Sequence, residues 1–159
     1  MKLKTAAAVS ALLSLIIAAP AFAAPELYIV NFRHAEDAKS QQLETQLPTV
    51  LRLAEVAAEE VVVDTTTAAK WEKAAHDAFN KDIVPVFNKW VGLPGFAAVV
   101  DASDKSVIGC LTPGADPVVL ARELKTMASR AKGEAFQQAA SSRTDITRCP
   151  ATYNQPPTR

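Results

Sequence analysis

A tight hairpin in the second half of the chain restricts the possible folds more than any other feature. Leu93-Pro94-Gly95 is a sharp break, and the β-forming run Phe96 to Val100 follows it at once. The polar turn Asp101 to Lys105 then leads to a second β-forming run, Ser106 to Leu111. Because this turn is short, we expect the two strands to be antiparallel neighbours in one sheet.

The helix that follows this hairpin has the clearest start in the chain. Asp116 is a natural N-cap, and Pro117 occupies the first helical position. The helical spacing of apolar residues predicts one buried stripe. Its members are Leu120, Leu124, Met127 and Ala131.

Two further strands and a helix are predicted upstream. Glu26 to Phe32 is rich in β-formers. The short run 61–64, three valines followed by Asp64, is typical of a strand that is buried on both faces of a sheet. Between them, Leu43 and Leu47 belong to a helical pattern. Pro48 lies within that pattern, and it either kinks the helix or marks its true start.

The segment before the Pro94 break contains two more predicted helices. The first follows the N-capping threonines 65–67 and extends to about Asn80, and a shorter one over 82–91 begins with the help of Pro85. Aromatic residues recur along both helices, and helical spacing of this kind favours core packing, with an exposed face that grips a partner as the alternative. These aromatic residues are Trp71, Phe79, Phe87 and Trp90.

The order strand, helix, strand, helix, strand, strand, helix resembles the thioredoxin-like fold. The likeness is sharpest over residues 91–128, where the Leu-Pro-Gly break, the hairpin and the helix led by Asp-Pro look like the second half of a thioredoxin. It implies an α/β fold, a thioredoxin-like three-layer α/β/α domain with a four-stranded mixed sheet. The strands would lie in the spatial order 61–64, 26–32, 96–101 and 106–111, with the first two parallel and the hairpin antiparallel to them.

The chain departs from the thioredoxin pattern at the reactive site. In that family the proline of the break, matched here by Pro94, is cis and borders the groove where substrate thiols dock. The family carries Cys-x-x-Cys where the first strand meets the first helix, but a gapless count from Phe32 gives Asp37 and Ser40. Another register follows if Pro48 matches the family's helix-kinking proline, and neither register places a cysteine nearby. Thiol–disulfide exchange needs a thiolate, so the usual thioredoxin chemistry is absent.

Charged and polar side chains cluster where the family's site would lie. A histidine with acidic neighbours can be a metal ligand or a general base, but the spacing here matches no metal motif, and the other histidine, His76, falls in a predicted helix. We therefore favour a solvated loop over residues 33–37, and we assign no catalytic residue, metal or cofactor. If the site has become a binding groove, it would be lined by Arg33, His34, Asp37, Ser40 and Pro94.

Cys110 and Cys149 are the two cysteines of the chain. In an oxidising compartment an even pair usually forms a disulfide, which here would close a long loop and fasten the C-terminal tail to the last strand. The alternative is a redox pair, or a Cys110 thiol beside the substrate groove. Their separation argues against a fast attacking and resolving pair.

The first 23 residues read as a cleavable secretory signal. Lys2 and Lys4 precede the uncharged apolar stretch Ala6 to Ala19, Pro20 breaks it, and Ala21-Phe22-Ala23 supplies the pattern that a signal peptidase needs. The apolar run is shorter than the roughly 20 residues of a membrane-spanning helix. We therefore expect cleavage after Ala23 and a periplasmic location.

Composition restricts the partners of the mature chain. Removal of residues 1–23 from the 159 leaves 136, organised as one domain over 24–140 and a polar tail over 141–159. Loss of Lys2 and Lys4 from the 17 basic residues leaves 15 against 17 acidic ones, a net charge of −2. This balance predicts neither nucleic acid nor anionic membrane as a partner. Nothing after residue 24 is long and apolar enough to cross a membrane, so we expect no stable membrane insertion after cleavage.

These observations favour an exported, non-catalytic thioredoxin-like protein. It would bind or scaffold another envelope protein or polypeptide, because the fold keeps a groove made for extended chain. One alternative is an unconventional thiol–disulfide oxidoreductase that uses Cys110. Another is an accessory component of an envelope or secretion assembly.

Overall fold

A computed structural model of the protein describes residues 24–133 and 147–152. The predicted signal peptide, the end of the predicted domain and most of the predicted tail lie outside these residues. The described part contains, in chain order, β1 (Leu27–Arg33), α1 (Ala38–Ala54), β2 (Ala58–Asp64), α2 (Ala68–Asn80), α3 (Val84–Trp90), β3 (Phe96–Asp101), β4 (Val107–Leu111) and α4 (Pro117–Ala131).

The four strands form one mixed sheet in the order β2-β1-β3-β4, as predicted. β1 and β2 are parallel, with Val30 beside Val61, and β3 is antiparallel to β1, with Ala98 beside Val30. β4 is antiparallel to β3 and therefore runs in the same direction as β1. The expectation that the hairpin runs antiparallel to the first two strands thus holds for β3 and is wrong for β4.

Helices cover both faces of this sheet because its central strand is apolar on both sides. Leu27 and Ile29 of β1 point into a core shared with α1 and α4, whereas Val30 and Phe32 point into a second core shared with α2 and α3. Side chains alternate between the faces of a strand, so a fully buried strand needs a helical layer on each face. The predicted three-layer α/β fold class is confirmed.

Two elements begin earlier than the apolar pattern indicates. β2 starts at Ala58 instead of residue 61. Glu59 lies within this strand because its carboxylate forms an ion pair with Lys81. α1 starts at Ala38, directly after the predicted solvated loop and five residues before Leu43 of the apolar pattern, and it continues through Pro48 to Ala54. The alternative that Pro48 marks the start of the helix is therefore wrong.

α4 begins where the sequence predicts, but its last buried residue differs from the predicted one. The Asp116 side chain accepts a hydrogen bond from the Val118 N–H at 2.8 Å. Ala131 is exposed, contrary to the prediction, because α4 ends there, and Ala128 is the last buried residue of the helix. None of the helices in the described residues is both long and apolar enough to cross a membrane.

Candidate functional site

The Pro94 loop joins the end of α3 to β3 and lies against the end of β1. The Gly95 N–H donates a hydrogen bond to the Phe32 carbonyl oxygen at 2.8 Å. The peptide bond before Pro94 is trans, as are the others in the described residues. The cis proline that the thioredoxin resemblance implies is therefore not reproduced here.

Gly95 lies directly against the N-terminus of α1. It has a φ of +93°, and a Cβ atom at this position would lie 2.8 Å from Asp37 Oδ2 and 2.8 Å from Lys39 Cβ. Real Cβ atoms do not approach other atoms so closely, so the contact requires glycine. The loop and the helix N-terminus thus form one packed unit, as the thioredoxin resemblance implies.

Asp37 and Ser40 cap the first turn of α1 instead of offering reactive groups. Asp37 Oδ2 accepts hydrogen bonds from the Ser40 backbone N–H at 2.7 Å and from the Ser40 hydroxyl at 2.8 Å. Ser40 Oγ in turn accepts one from the His34 N–H at 3.2 Å. A carboxylate at this position satisfies free N–H groups and interacts favourably with the helix dipole. The N-terminus of α1 is therefore occupied by a fixed carboxylate.

A cleft of about 380 Å³ opens beside this unit. Its walls come from the start of α1, the Pro94 loop, the segment after β4 and the described part of the tail. The lining residues are Lys39, Leu93, Pro94, Gly95, Phe96, Thr112, Pro113 and Pro150. The lining of this Pro94 cleft combines apolar and polar surface, with Lys39 as its charged residue. The volume of the cleft suits a small ligand or a few side chains of a peptide.

Four of the five predicted groove residues lie outside the lining of the Pro94 cleft. Arg33 forms ion pairs with Asp64, at 3.0 Å, and with Glu44. His34 Nδ1 accepts a hydrogen bond from the Glu36 N–H at 3.3 Å. Asp37 and Ser40 support the cleft from behind, so among the five predicted residues Pro94 alone lines it. No group of three potential metal ligands is present within the described residues.

Asp64 is the centre of a charged network at the ends of β1 and β2. Burial raises the pKa of Asp64, but hydrogen bonds from the Thr66 hydroxyl and N–H outweigh this effect, and Lys70 and Arg33 add to them. The result is a pKa well below its ordinary value of 3.8. Lys70 Nζ lies 3.0 Å from Asp64 Oδ2, so the network connects β2 to the first turn of α2. Since its charges pair with one another, we assign it a structural role.

The predicted disulfide between Cys110 and Cys149 is present. Cys110 is fully buried, and Cys149 packs against the α2/α3 core. Next to the bond, the Trp90 indole N–H donates a hydrogen bond to the Pro150 carbonyl oxygen at 3.1 Å. These contacts position Pro150 as a wall of the Pro94 cleft. Residues 147–152 of the predicted polar tail are therefore packed on the domain.

A second surface lies on α2, away from the lining of the Pro94 cleft. Phe87 and Trp90 are buried as predicted, but Trp71 is 46% exposed and Phe79 is 75% exposed. Core packing is thus the wrong reading for Trp71 and Phe79, and an exposed face is the right one. We define the α2 face by the residues that line its shallow apolar depression of about 480 Å³, which are Trp71, Glu72, Ala75, His76 and Phe79.

Sequence reasoning missed most of the cleft wall. Lys39, Thr112, Pro113 and Pro150 come from three separate segments, and no motif or spacing connects them. The predicted break at Pro94 indicated the wall formed by the Pro94 loop, and the predicted pairing of Cys149 indirectly indicated Pro150. The wall formed by Thr112 and Pro113 depends on how the chain turns after β4, which the sequence did not indicate.

No protein-family model, curated protein or solved structure matches this chain. The relationship to thioredoxins therefore depends on the fold and on the residues of 91–128, and it is part of the proposal below.

Proposed function

We propose that this chain is an exported, non-catalytic thioredoxin-like protein that binds another envelope protein or polypeptide in the Pro94 cleft. Export to the periplasm is inferred from the pattern of residues 1–23, with cleavage after Ala23. The thioredoxin-like relationship is supported by the strand order and by residues 91–128. The binding role is supported by the cleft and by the chemistry around it.

One observation carries the non-catalytic part of the proposal. The chain has two cysteines, and they are bonded to each other. A thiol enzyme needs a thiolate that is accessible to its substrate. In the gapless register, the family's first cysteine corresponds to Asp37, whose carboxylate caps α1 and accepts a hydrogen bond from the Ser40 hydroxyl. The groove is retained while the nucleophile is missing.

The cleft wall supports polypeptide as the ligand. Apolar surface from Leu93 and the prolines favours apolar side chains, since burying them releases water. Lys39 adds a cationic group at the wall that can pair with a ligand carboxylate or donate a hydrogen bond to a carbonyl oxygen. An extended chain with apolar side chains and an acidic residue or C-terminal carboxylate fits this combination.

The oxidoreductase alternative is supported less well. Cys110 has no exposed surface, and its partner Cys149 precedes Pro150, which the Trp90 indole holds. To expose the Cys110 thiol, the disulfide must be reduced and the described part of the tail displaced. Membership of an envelope or secretion assembly is compatible with binding in the Pro94 cleft, and the bound partner would then be another component of that assembly.

Chemical-shift mapping by NMR tests the proposed site. The ligand is a reduced, carbamidomethylated polypeptide, which is unfolded and has no free thiol. We expect saturable shifts at the amides of Lys39, Leu93, Gly95 and Thr112, and no comparable shifts along α2. Shifts confined to the α2 face, or no shifts at saturating ligand, would contradict the proposal.

A matched pair of charge reversals tests the role of the cleft wall with the same ligand. Lys39→Glu should weaken binding by about tenfold, the equivalent of one charge-assisted hydrogen bond. Arg122→Glu changes the net charge equally on the exposed side of α4 and should leave the affinity unchanged. Equal effects of the two variants would mean that net charge, and not the cleft, governs binding.

A further inference from the structure

The α2 face is an ordered stripe of large and small residues. Trp71, Ala75 and Phe79 are spaced by four residues, so they lie in one row along the helix. Ala74 and Ala78 are buried on the adjoining side of α2, and the half-buried Ala75 also packs against the α2/α3 core. Trp71 leans towards the body of the protein, where its ring lies 6.0 Å from that of Phe87. Phe79 is 75% exposed, the most exposed large apolar side chain of the described residues.

The ion pairs of α2 lie on the flank of the helix away from the α2 face. Lys70 pairs with Asp64, Lys81 pairs with Glu59, and Lys73 pairs with Asp77. These pairs neutralise the flank that adjoins β2. Glu72 and His76 border the apolar row, and within the described residues their side chains form no ion pair or hydrogen bond. The α2 face therefore presents apolar surface beside one unused carboxylate and one unused imidazole.

This pattern is complementary to itself when two helices run antiparallel. A two-fold axis near Ala75 brings Trp71 of one copy against Phe79 of the other, with the small Ala75 side chains at the crossing, where the helices can approach closely. On the adjoining flank, the same axis brings Glu72 opposite His76. The Trp71–Phe79 pairing is centred on residue 75 and the Glu72–His76 pairing on residue 74. This difference of one residue is about 1.5 Å along the helix, which long side chains can accommodate.

We propose that the protein forms a two-fold symmetric dimer through antiparallel packing of α2 against α2 of a second copy. Trp71 and Phe79 supply the apolar contact, and Glu72 accepts a hydrogen bond from the partner copy's imidazole. The Pro94 cleft shares no lining residue with this face, so a dimer would present two clefts. This inference goes beyond the proposed function and does not depend on it.

The size of α2 predicts a weak dimer. The helix has 13 residues and is therefore about 20 Å long. A contact through one such helix lies at the lower end of specific interfaces. We therefore expect association that depends on concentration, with a Kd of about 10 μM or weaker.

Sedimentation velocity over a range of concentrations tests the dimer on the purified protein with its disulfide intact. The native protein should shift from monomer to dimer as its concentration rises. Phe79→Glu should weaken association by about 30-fold, as expected for a central aromatic anchor. Val118→Glu is the matched control, because Val118 is 65% exposed on α4 and should not affect dimerisation. A native protein that stays monomeric at every concentration would overturn the proposal, and the α2 face would then bind a different partner. Equal effects of Phe79→Glu and Val118→Glu would also overturn it.

A charge exchange tests the antiparallel register. Glu72→Lys and His76→Glu should each weaken the dimer, because each leaves the partner's side chain without its complement. The double variant should recover the native Kd, since it restores opposite charges across the axis. Far-UV circular dichroism and Tm identify any variant in which α2 is disturbed. A folded double variant that is no better than the two singles would contradict the antiparallel arrangement.

Discussion

Gly95 shows at the residue scale how the cleft is built. Its N–H bonds to β1, its positive φ turns the chain into β3, and its missing side chain admits Asp37 and Lys39. The sequence predicted a break at Leu93-Pro94-Gly95, because proline and glycine are strong turn signals. It could not predict the contact between Gly95 and α1, which depends on the docking of two distant segments.

Gly95→Ala should therefore destabilise the protein by more than a positive φ alone explains. We expect the free energy of unfolding in urea to fall by about 3 kcal/mol, from the unfavourable φ and from the overlap with Asp37 and Lys39. Gly92→Ala is the control, since Gly92 has a φ of +92° but no atom within 4 Å of a Cβ. That variant should lose only about 1 kcal/mol. Equal losses in the two variants would show that the α1 contact is unimportant.

Asp64 gives a prediction for the dependence of stability on pH. Its pKa is lowered in the folded protein, so its contribution to stability is complete well above pH 3.8 and is lost as the pH falls below that value. Asp64→Asn should lower the free energy of unfolding by about 2 kcal/mol at pH 7. The gap between native and variant should narrow as the pH is lowered towards 3.

Asp77→Asn is the control for this network. Asp77 pairs with Lys73 on the surface of α2, and exposed pairs of this kind contribute only about 0.5 kcal/mol. Urea unfolding at several pH values measures both variants. A gap for Asp64→Asn that stays constant from pH 7 to pH 3 would show that ionisation of Asp64 does not stabilise the fold.

At the scale of elements, the sequence predicted the number, type and order of the helices and strands that residues 24–133 contain. Strong β-forming runs and the Asp116-Pro117 start carried that information. The N-terminus of α1 was hidden because its first turn is polar and is fixed by the Asp37 cap instead of by apolar burial. Charged Glu59 and Glu60 hid the start of β2 in the same way, since alternation and apolar content were the signals used.

The exposed aromatics of α2 mark a different limit of sequence reasoning. Trp71 and Phe79 lie eight residues apart and therefore on one side of the helix, but this spacing does not say whether that side meets the sheet or the solvent. Ala74 and Ala78 take the buried side of α2. Tertiary packing decides the outcome, and the helix pattern alone cannot.

Pro48 supplies a prediction for α1. It lies inside a continuous helix and is exposed, so it removes a backbone hydrogen bond without contributing to the core. Pro48→Ala should raise the free energy of unfolding by about 1–2 kcal/mol, because the gain in the helix exceeds the added freedom of the unfolded chain. Pro117→Ala should not be stabilising, since proline suits the first position of α4. Thermal unfolding of the two variants gives the comparison, and a Pro48→Ala variant with an unchanged or lower Tm would contradict it.

For the whole molecule, the disulfide connects the sheet to the tail and to the cleft. The cysteines are separated by 39 residues. Loss of a cross-link of this length lowers stability by about 4 kcal/mol in the chain-entropy description. Cys110→Ala with Cys149→Ala should show this loss in urea unfolding, and reduction of the native protein should give a similar value. A loss below about 1 kcal/mol would mean that the bond is not a structural staple.

Titration of one unfolded polypeptide in two chemical forms tests most directly whether the Pro94 cleft binds polypeptide without thiol chemistry. One form keeps its cysteines free, and the other has them carbamidomethylated. Fluorescence anisotropy should give the same Kd for both forms, and non-reducing electrophoresis should show no covalent complex. Binding that requires free thiols, with a mixed disulfide to Cys110 or Cys149, would contradict the proposed function and favour the oxidoreductase.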